Sequence, residues 1–123
     1  MVTGNLVKQL GRLSEALRKE VLKEAMKAGA EVIADGARAR VPTDTGELRR
    51  SIRTTSRASK RTAAASVVVG RKRTDYALAT EYGTQTRSPR PFLRPAFDAR
   101  KAMAVEEIRR KLKAAIMRVA RTG

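Results

Sequence analysis

The 123 residues include no cysteine, no histidine and no tryptophan. Without cysteine, disulfides, thiolate catalysis and cysteine-based metal sites are all excluded. Without histidine, the usual general base near neutral pH and the commonest metal ligand are missing. Aromatic residues are scarce as well: Tyr76, Tyr82, Phe92 and Phe97. The core must therefore be built in thin layers from Ala, Val, Leu, Ile and Met, and a thin core invites added stability from neighbouring subunits. Long apolar runs are also lacking. The most apolar stretch, near Ala63–Val69, falls far short of the roughly 20 residues that a membrane helix needs. Met1 to Leu13 has neither a continuous apolar segment nor a small-residue cleavage pattern. The expectation is a soluble chain without membrane, metal or cofactor, made in the cytoplasm or built into an assembly there.

Acidic residues are few: 12 Asp and Glu against 28 Lys and Arg, a formal charge of +16. The excess is uneven. Residues 1–50 carry +3, residues 51–100 carry +8 and residues 101–123 carry +5. A field this positive favours a polyanionic partner, either nucleic acid or an acidic protein surface. It also exceeds the net charge of roughly 2–8 that solubility asks of a small domain.

The length suits one domain spanning residues 1–123. Leu6, Leu10, Leu13, Leu17, Val21, Ala25, Ala28 and Val32 recur at steps of three and four, with Leu22, Met26, Gly29 and Ile33 beside them. That spacing predicts a long helix with a wide apolar face. Asn5 or Ser14 suits its N-cap. Pro42 disfavours helical geometry at Val41, so the helix should end near Arg40, about 40 Å from Ser14. Pro42, Asp44, Thr45 and Gly46 then form a turn, with Asp44 or Thr45 placed to cap a short helix holding Leu48. A hairpin over 51–70 follows, its strands at 51–57 and 63–70. A short helix through Tyr76 to Ala79 should end at Gly83, a natural C-cap. Pro89 and Pro91 mark an irregular loop. Pro95 suits the first turn of a last helix, which carries Val105, Ile108, Leu112, Ala115 or Ile116, and Val119 on one stripe. Glu106–Arg110 and Glu107–Lys111 are expected to pair along it. The fold class is therefore α+β: a long N-terminal and a C-terminal helix packed on a small antiparallel sheet, with short helices between.

No catalytic set assembles from these residues. Asp44 and Glu47 are the nearest paired acids, but a turn and a cap account for both more simply. The run Val67 to Thr74 has a strand, a glycine, a lysine and a threonine, yet it lacks the glycine order of a phosphate loop. The strands contain no aromatic for base stacking, and no helix-turn-helix or zinc pattern occurs. Two basic clusters remain. Arg57, Lys60 and Arg61 lie near the hairpin tip, and Arg71, Lys72 and Arg73 follow the returning strand at its other end. They are candidate groups facing DNA or an acidic partner, repeated as a collar if the chain forms a ring. On charge alone, a sequence-nonspecific nucleic-acid-binding protein is the alternative reading, its contacts confined to phosphate.

Three strings carry a resemblance. The first is Val41-Pro42-Thr43-Asp44-Thr45-Gly46-Glu47-Leu48-Arg49-Arg50-Ser51-Ile52. The second is Tyr76-Ala77 with Glu81-Tyr82-Gly83-Thr84. The third is Arg90-Pro91-Phe92-Leu93-Arg94-Pro95-Ala96-Phe97-Asp98. In this order the chain resembles the minor tail-component family of long-tailed phages, over about residues 20–116. The resemblance implies a non-enzymatic virion protein that completes the tail and joins it to the head. It implies a homo-oligomeric ring, hexameric or dodecameric, with the tail tube or terminator and the head connector as partners and packaged DNA in the channel. Physically, Gly46 and Gly83 are backbone necessities. Phe97 and Leu93 are expected in the core. Tyr82, Arg90, Pro91, Phe92 and Leu93 are candidate contacts with a neighbouring subunit or partner, with Phe92 open to either the core or a neighbour.

Overall fold

The computed structural model describes residues 8–41, 46–59, 62–69 and 91–122. Helix α1 spans Glu15–Arg40, helix α2 Glu47–Ser51, strand β1 Ile52–Ala58, strand β2 Ala63–Val69 and helix α3 Leu93–Thr122. The class is α+β, with both long helices and a two-stranded antiparallel sheet.

Helix α1 begins where its capping residue places it. The Ser14 hydroxyl accepts the Leu17 N–H at 3.3 Å, satisfying one of the free donors of the first turn. At the other end Val41 is extended (φ −67°, ψ 140°), as a residue preceding proline should be, and its N–H closes on the Ala37 carbonyl at 3.0 Å. Helix α2 starts differently from the capped start expected at Asp44 or Thr45. Its N-cap is Gly46 at φ 68°, with no side-chain cap bond. This left-handed backbone is what requires glycine there.

In the hairpin, Ile52 pairs with Val69 and Ala58 with Ala63. The turn is closed by Ser59 N–H donating to the Thr62 carbonyl at 2.7 Å. Burial alternates along β1: Ile52, Thr54, Ser56 and Ala58 face inward, while Arg53, Thr55 and Arg57 are exposed. This is the pattern of a sheet covered on one face. Helix α1 provides the cover, packing against both strands as well as along α3.

Helices α1 and α3 run antiparallel and close together. Val21 and Ala25 meet Leu112 and Ala115 at one end. At the other, Ala34 and Ala37 meet Phe92 and Ala96. Alanines and glycines on facing surfaces allow the approach: a Cβ built on Gly29 would lie 2.5 Å from Ile108 Cγ1. Ion pairs along α3 form at a spacing of three, Glu106–Arg109 at 2.7 Å and Glu107–Arg110 at 2.6 Å. These take the place of the expected partners four residues on, Arg110 for Glu106 and Lys111 for Glu107; both spacings bring side chains together on one face, and here the bidentate reach of Arg110 to Glu107, at 2.6 and 3.1 Å, favours the shorter one.

Candidate interaction surfaces

One end of the molecule is a locked core. Phe92 has no exposed surface and packs with Ala34, Ala37, Val41, Leu48, Ile52 and Ala96, with Val67, Val69 and Leu93 at its margin. Of the two alternatives held for Phe92, the protomer realises core burial. Phe97 reverses its expectation. Near the start of α3, it is 51% exposed rather than a core anchor. Ala96 beside it is fully buried, and at 3.6 residues per turn the next residue is rotated by about 100°, from the inward side to the flank of the helix.

A polar clamp joins α1 to the sheet beside this core. Thr54 Oγ1 donates to Glu31 Oε1 at 2.5 Å, and Arg38 donates to Glu31 at 3.4 Å, to Asp35 at 2.8 Å and to the Ile52 carbonyl at 2.8 Å. The Thr54 hydroxyl is the main cause that holds the Glu31 carboxyl below its ordinary range. Partial burial opposes it, while Arg38 and Lys27 reinforce it. The clamp fixes register between helix and hairpin, and its groups are satisfied by one another.

Between α1, β2 and the first half of α3 lies an apolar groove of about 420 Å³. Its walls include Met26 and Ile33 from α1, Val67 from β2, and Phe97, Val105 and Ile108 from α3. Among the described residues of the lining, Lys101 is the one that carries a charge. Phe97 and Val105 are 51% and 45% exposed, so each offers a large apolar surface to whatever enters. The groove lies beside the close approach of α1 and α3 at Gly29 and Ala104, on the side that faces β2. Sequence reasoning placed Val105 and Phe97 on core positions and did not find this surface. The signal available was Lys101, a cation in the middle of the stripe Leu93, Phe97, Lys101, Val105, Ile108, where a fully covered face would be apolar throughout.

Of the other expected contact residues, Pro91 is exposed and Leu93 is half-buried. Arg57 is exposed on the outer face of the hairpin with Arg53, and Gly46 occupies its turn. Tyr82 and Arg90, the cations Lys60, Arg61, Arg71, Lys72 and Arg73, and the turn residues Pro42, Asp44, Thr45 and Gly83 lie outside the described residues. Among the described residues, no group of acidic side chains could hold a metal ion. No helix among them is long and apolar enough to cross a membrane.

Residues 5–83 match the family model HK97-gp10_like, described as "Bacteriophage HK97-gp10, putative tail-component". The match takes in α1, the Gly46 turn, α2 and the hairpin, and it ends before α3. No curated protein and no solved structure matches the chain.

Proposed function

We propose a joining role at the end of the tail, from the premise that the chain belongs to the HK97-gp10-like family of phage tail components. As a tail component it is a structural protein of the virion and associates with other phage structural proteins. In the proposed role it forms a ring at the head–tail junction, hexameric or dodecameric, that completes the tail and connects it to the head around the DNA channel. Its partners there are the tail tube or terminator and the head connector. The observation that carries this reading is the family match across the helix–turn–hairpin unit, to which the string Arg90 to Asp98 adds a likeness beyond the matched span.

The charge fits this setting. The covered face of the hairpin leaves Arg53 and Arg57 on its outer side, and the chain as a whole carries +16. Arranged in a ring, such faces line a positive collar suited to phosphate contact or to an acidic rim on a neighbouring ring.

Deletion of the gene from its phage, followed by electron microscopy of the particles, tests the role. DNA-filled heads beside separate tails, or beside tails of faulty length, are the expected outcome. Normal infectious virions would sink the joining role, and a nonspecific nucleic-acid-binding role would replace it.

A further inference from the structure

Among the described residues the sheet offers two strands to two long helices. Strands lie about 4.8 Å apart and packed helices about 8–10 Å, so two strands cover one helix. Here β1 and β2 cover α1, which packs against both. Helix α3 lies beside α1, and its flank borders the groove together with Ala65 and Val67 of β2. On that flank Phe97 and Val105 are 51% and 45% exposed. The sheet stops where a third strand would lie over α3.

The edge at which it stops is open. Ser59 and Thr62 form a hydrogen-bonded pair, the Ser59 N–H donating to the Thr62 carbonyl. Bonded and non-bonded pairs alternate along an antiparallel ladder. Ala64, Ser66 and Val68 therefore turn their backbone groups towards β1, and Ala63, Ala65, Val67 and Val69 turn theirs away. The same alternation leaves the Ile52 carbonyl pointing outward from β1, where Arg38 donates to it at 2.8 Å. Nothing among the described residues bonds to the outward groups of Ala65 and Val67.

The two edges also differ in the devices that discourage pairing. Strand β1 carries Arg53 and Arg57 and has Arg38 at its edge. Strand β2 has no charged residue, no proline and no bulge over its seven residues. Natural sheets seldom leave an exposed edge so undefended.

We propose that the β2 edge receives an extended segment of another phage structural protein, added as a third strand over the flank of α3. Main-chain bonds to β2 supply affinity, and alternate side chains entering the groove supply selection. What the segment meets sets its chemistry. Every second residue is apolar, to lie on Phe97 and Val105. The residue beside Lys101 is neutral or acidic, and Lys and Arg are absent from the segment, as a partner chain of +16 requires. The hairpin of a second copy does not fit, because it brings its own α1 packed on the same face, where α3 already stands. The contact rests on the joining role proposed above and names what holds the chain to its partner.

Hydrogen exchange of the full-length protein, free and attached to tails isolated from gene-deleted phage, tests this edge. In the free protein the amides of Ala64, Ser66 and Val68 should be protected and those of Ala65 and Val67 should not. Attachment should slow exchange at Ala65 and Val67 about tenfold or more. Ala65→Pro removes an outward N–H and leaves the ladder to β1 intact. Phe97→Glu changes a half-exposed side chain of the groove, so it tests the same contact if the proline variant fails to fold. Each should weaken attachment about tenfold while circular dichroism and melting stay near those of the wild type.

Amides of Ala65 and Val67 that stay unprotected in the attached protein would overturn the contact, as would a folded Phe97→Glu that attaches like the wild type. Protection of those amides in concentrated protein without tails would also overturn it, by giving the edge to a second copy. The gene deletion reads separately. Normal virions would remove the joining role, whereas separated heads and tails together with an unprotected β2 edge on attached protein would keep the role and discard only this contact.

Discussion

Arg100 crosses helix α1 over Gly36 and donates from its guanidinium to the Val32 carbonyl at 3.3 Å. A Cβ on Gly36 would lie 2.7 Å from Arg100 Cδ and 2.9 Å from its Nε. The missing side chain is the passage through which α3 reaches the backbone of α1. Arg40 uses the same spot from the other direction, donating to the Gly36 carbonyl at 3.0 Å.

This relationship predicts opposed effects at one position. Alanine is worth about 1 kcal/mol more than glycine inside a helix, but here it displaces Arg100. Gly36→Ala should therefore change stability by less than about 1 kcal/mol in the native background. With Arg100→Ala already present, the same change should stabilise by about 1 kcal/mol. Gly36→Leu has no such escape and should cost about 2 kcal/mol or more. Urea denaturation of the four proteins with Ala or Gly at 36 and Ala or Arg at 100 checks the cycle. Equal effects of Gly36→Ala in both backgrounds would refute the coupling.

Gly29 is a tighter case, because its neighbours include backbone. A Cβ there would lie 2.5 Å from Ile108 Cγ1 and 3.2 Å from the Ala104 carbonyl oxygen. Gly29→Ala should push the long helices apart and cost about 1–2 kcal/mol despite the propensity gain. Ile108→Ala combined with Gly29→Ala should recover part of the loss, measured by thermal melting. The carbonyl contact persists and prevents full rescue.

Phe92 and Phe97 make a paired test of burial. Phe92 is completely enclosed, so Phe92→Ala should cost about 3–5 kcal/mol. Phe97 is half exposed, so Phe97→Ala should cost the protomer less than about 1.5 kcal/mol. Both values come from urea denaturation of the monomeric form. A large loss at Phe97 together with a small loss at Phe92 would reverse the assignment of inner and outer faces.

Much of the architecture was legible from local chemistry. Ser14 and Pro42 bracket α1 because an N-cap hydroxyl and a residue preceding proline act within a few residues of themselves. The hairpin was legible to within a residue at its strand ends, since strand propensity and turn residues are local too. The groove was not. It arises where residues about 70–80 apart in sequence, Gly29 and Ala104 with Ile108, decide how closely two helices meet. Periodicity marks Phe97 and Val105 as apolar but does not say how much of a 30-residue helix its partner covers. A 26-residue α1 shared between α3 and the sheet leaves the flank of α3 open beside β2. The basic clusters were legible as charge, and only Arg57 among them falls within the described residues.

The Thr54–Glu31 hydrogen bond predicts a pH dependence. The folded state holds the Glu31 carboxyl below its ordinary value of 4.5, chiefly through the Thr54 hydroxyl. A depressed carboxylate stabilises the fold above its unfolded value, and that contribution is lost as pH falls through the lower folded value. The native protein should therefore lose stability between about pH 5 and pH 3 more steeply than Thr54→Val, in which this cause is removed. Glu31 is about 42% exposed, so solvent screening keeps the difference below about 1 kcal/mol. Melting temperatures across that pH range measure it. Parallel curves for the two proteins would show that the hydroxyl does not set the carboxyl's affinity for protons.

The outer face of the hairpin offers a direct test of whether the chain contacts DNA in its proposed role. Arg53 and Arg57 share that face, four residues apart on one strand, with Thr55 between them on the same side. Phosphate contact releases counterions, so log affinity falls linearly with log salt, by roughly 0.9 for each phosphate neutralised. If the pair faces DNA, Arg53→Ala with Arg57→Ala should lower affinity for duplexes of different sequence alike and flatten the salt slope by about 2. Titrations by fluorescence anisotropy at several salt concentrations give that slope directly. The substitution leaves the buried face of β1 intact, so its melting curve should stay that of the native protein. An unchanged slope would move the phosphate contacts off this face. Arg53 and Arg57 would then be left to an acidic protein rim, where the same double variant should weaken attachment of the protein to tails or connectors and leave DNA binding as it was.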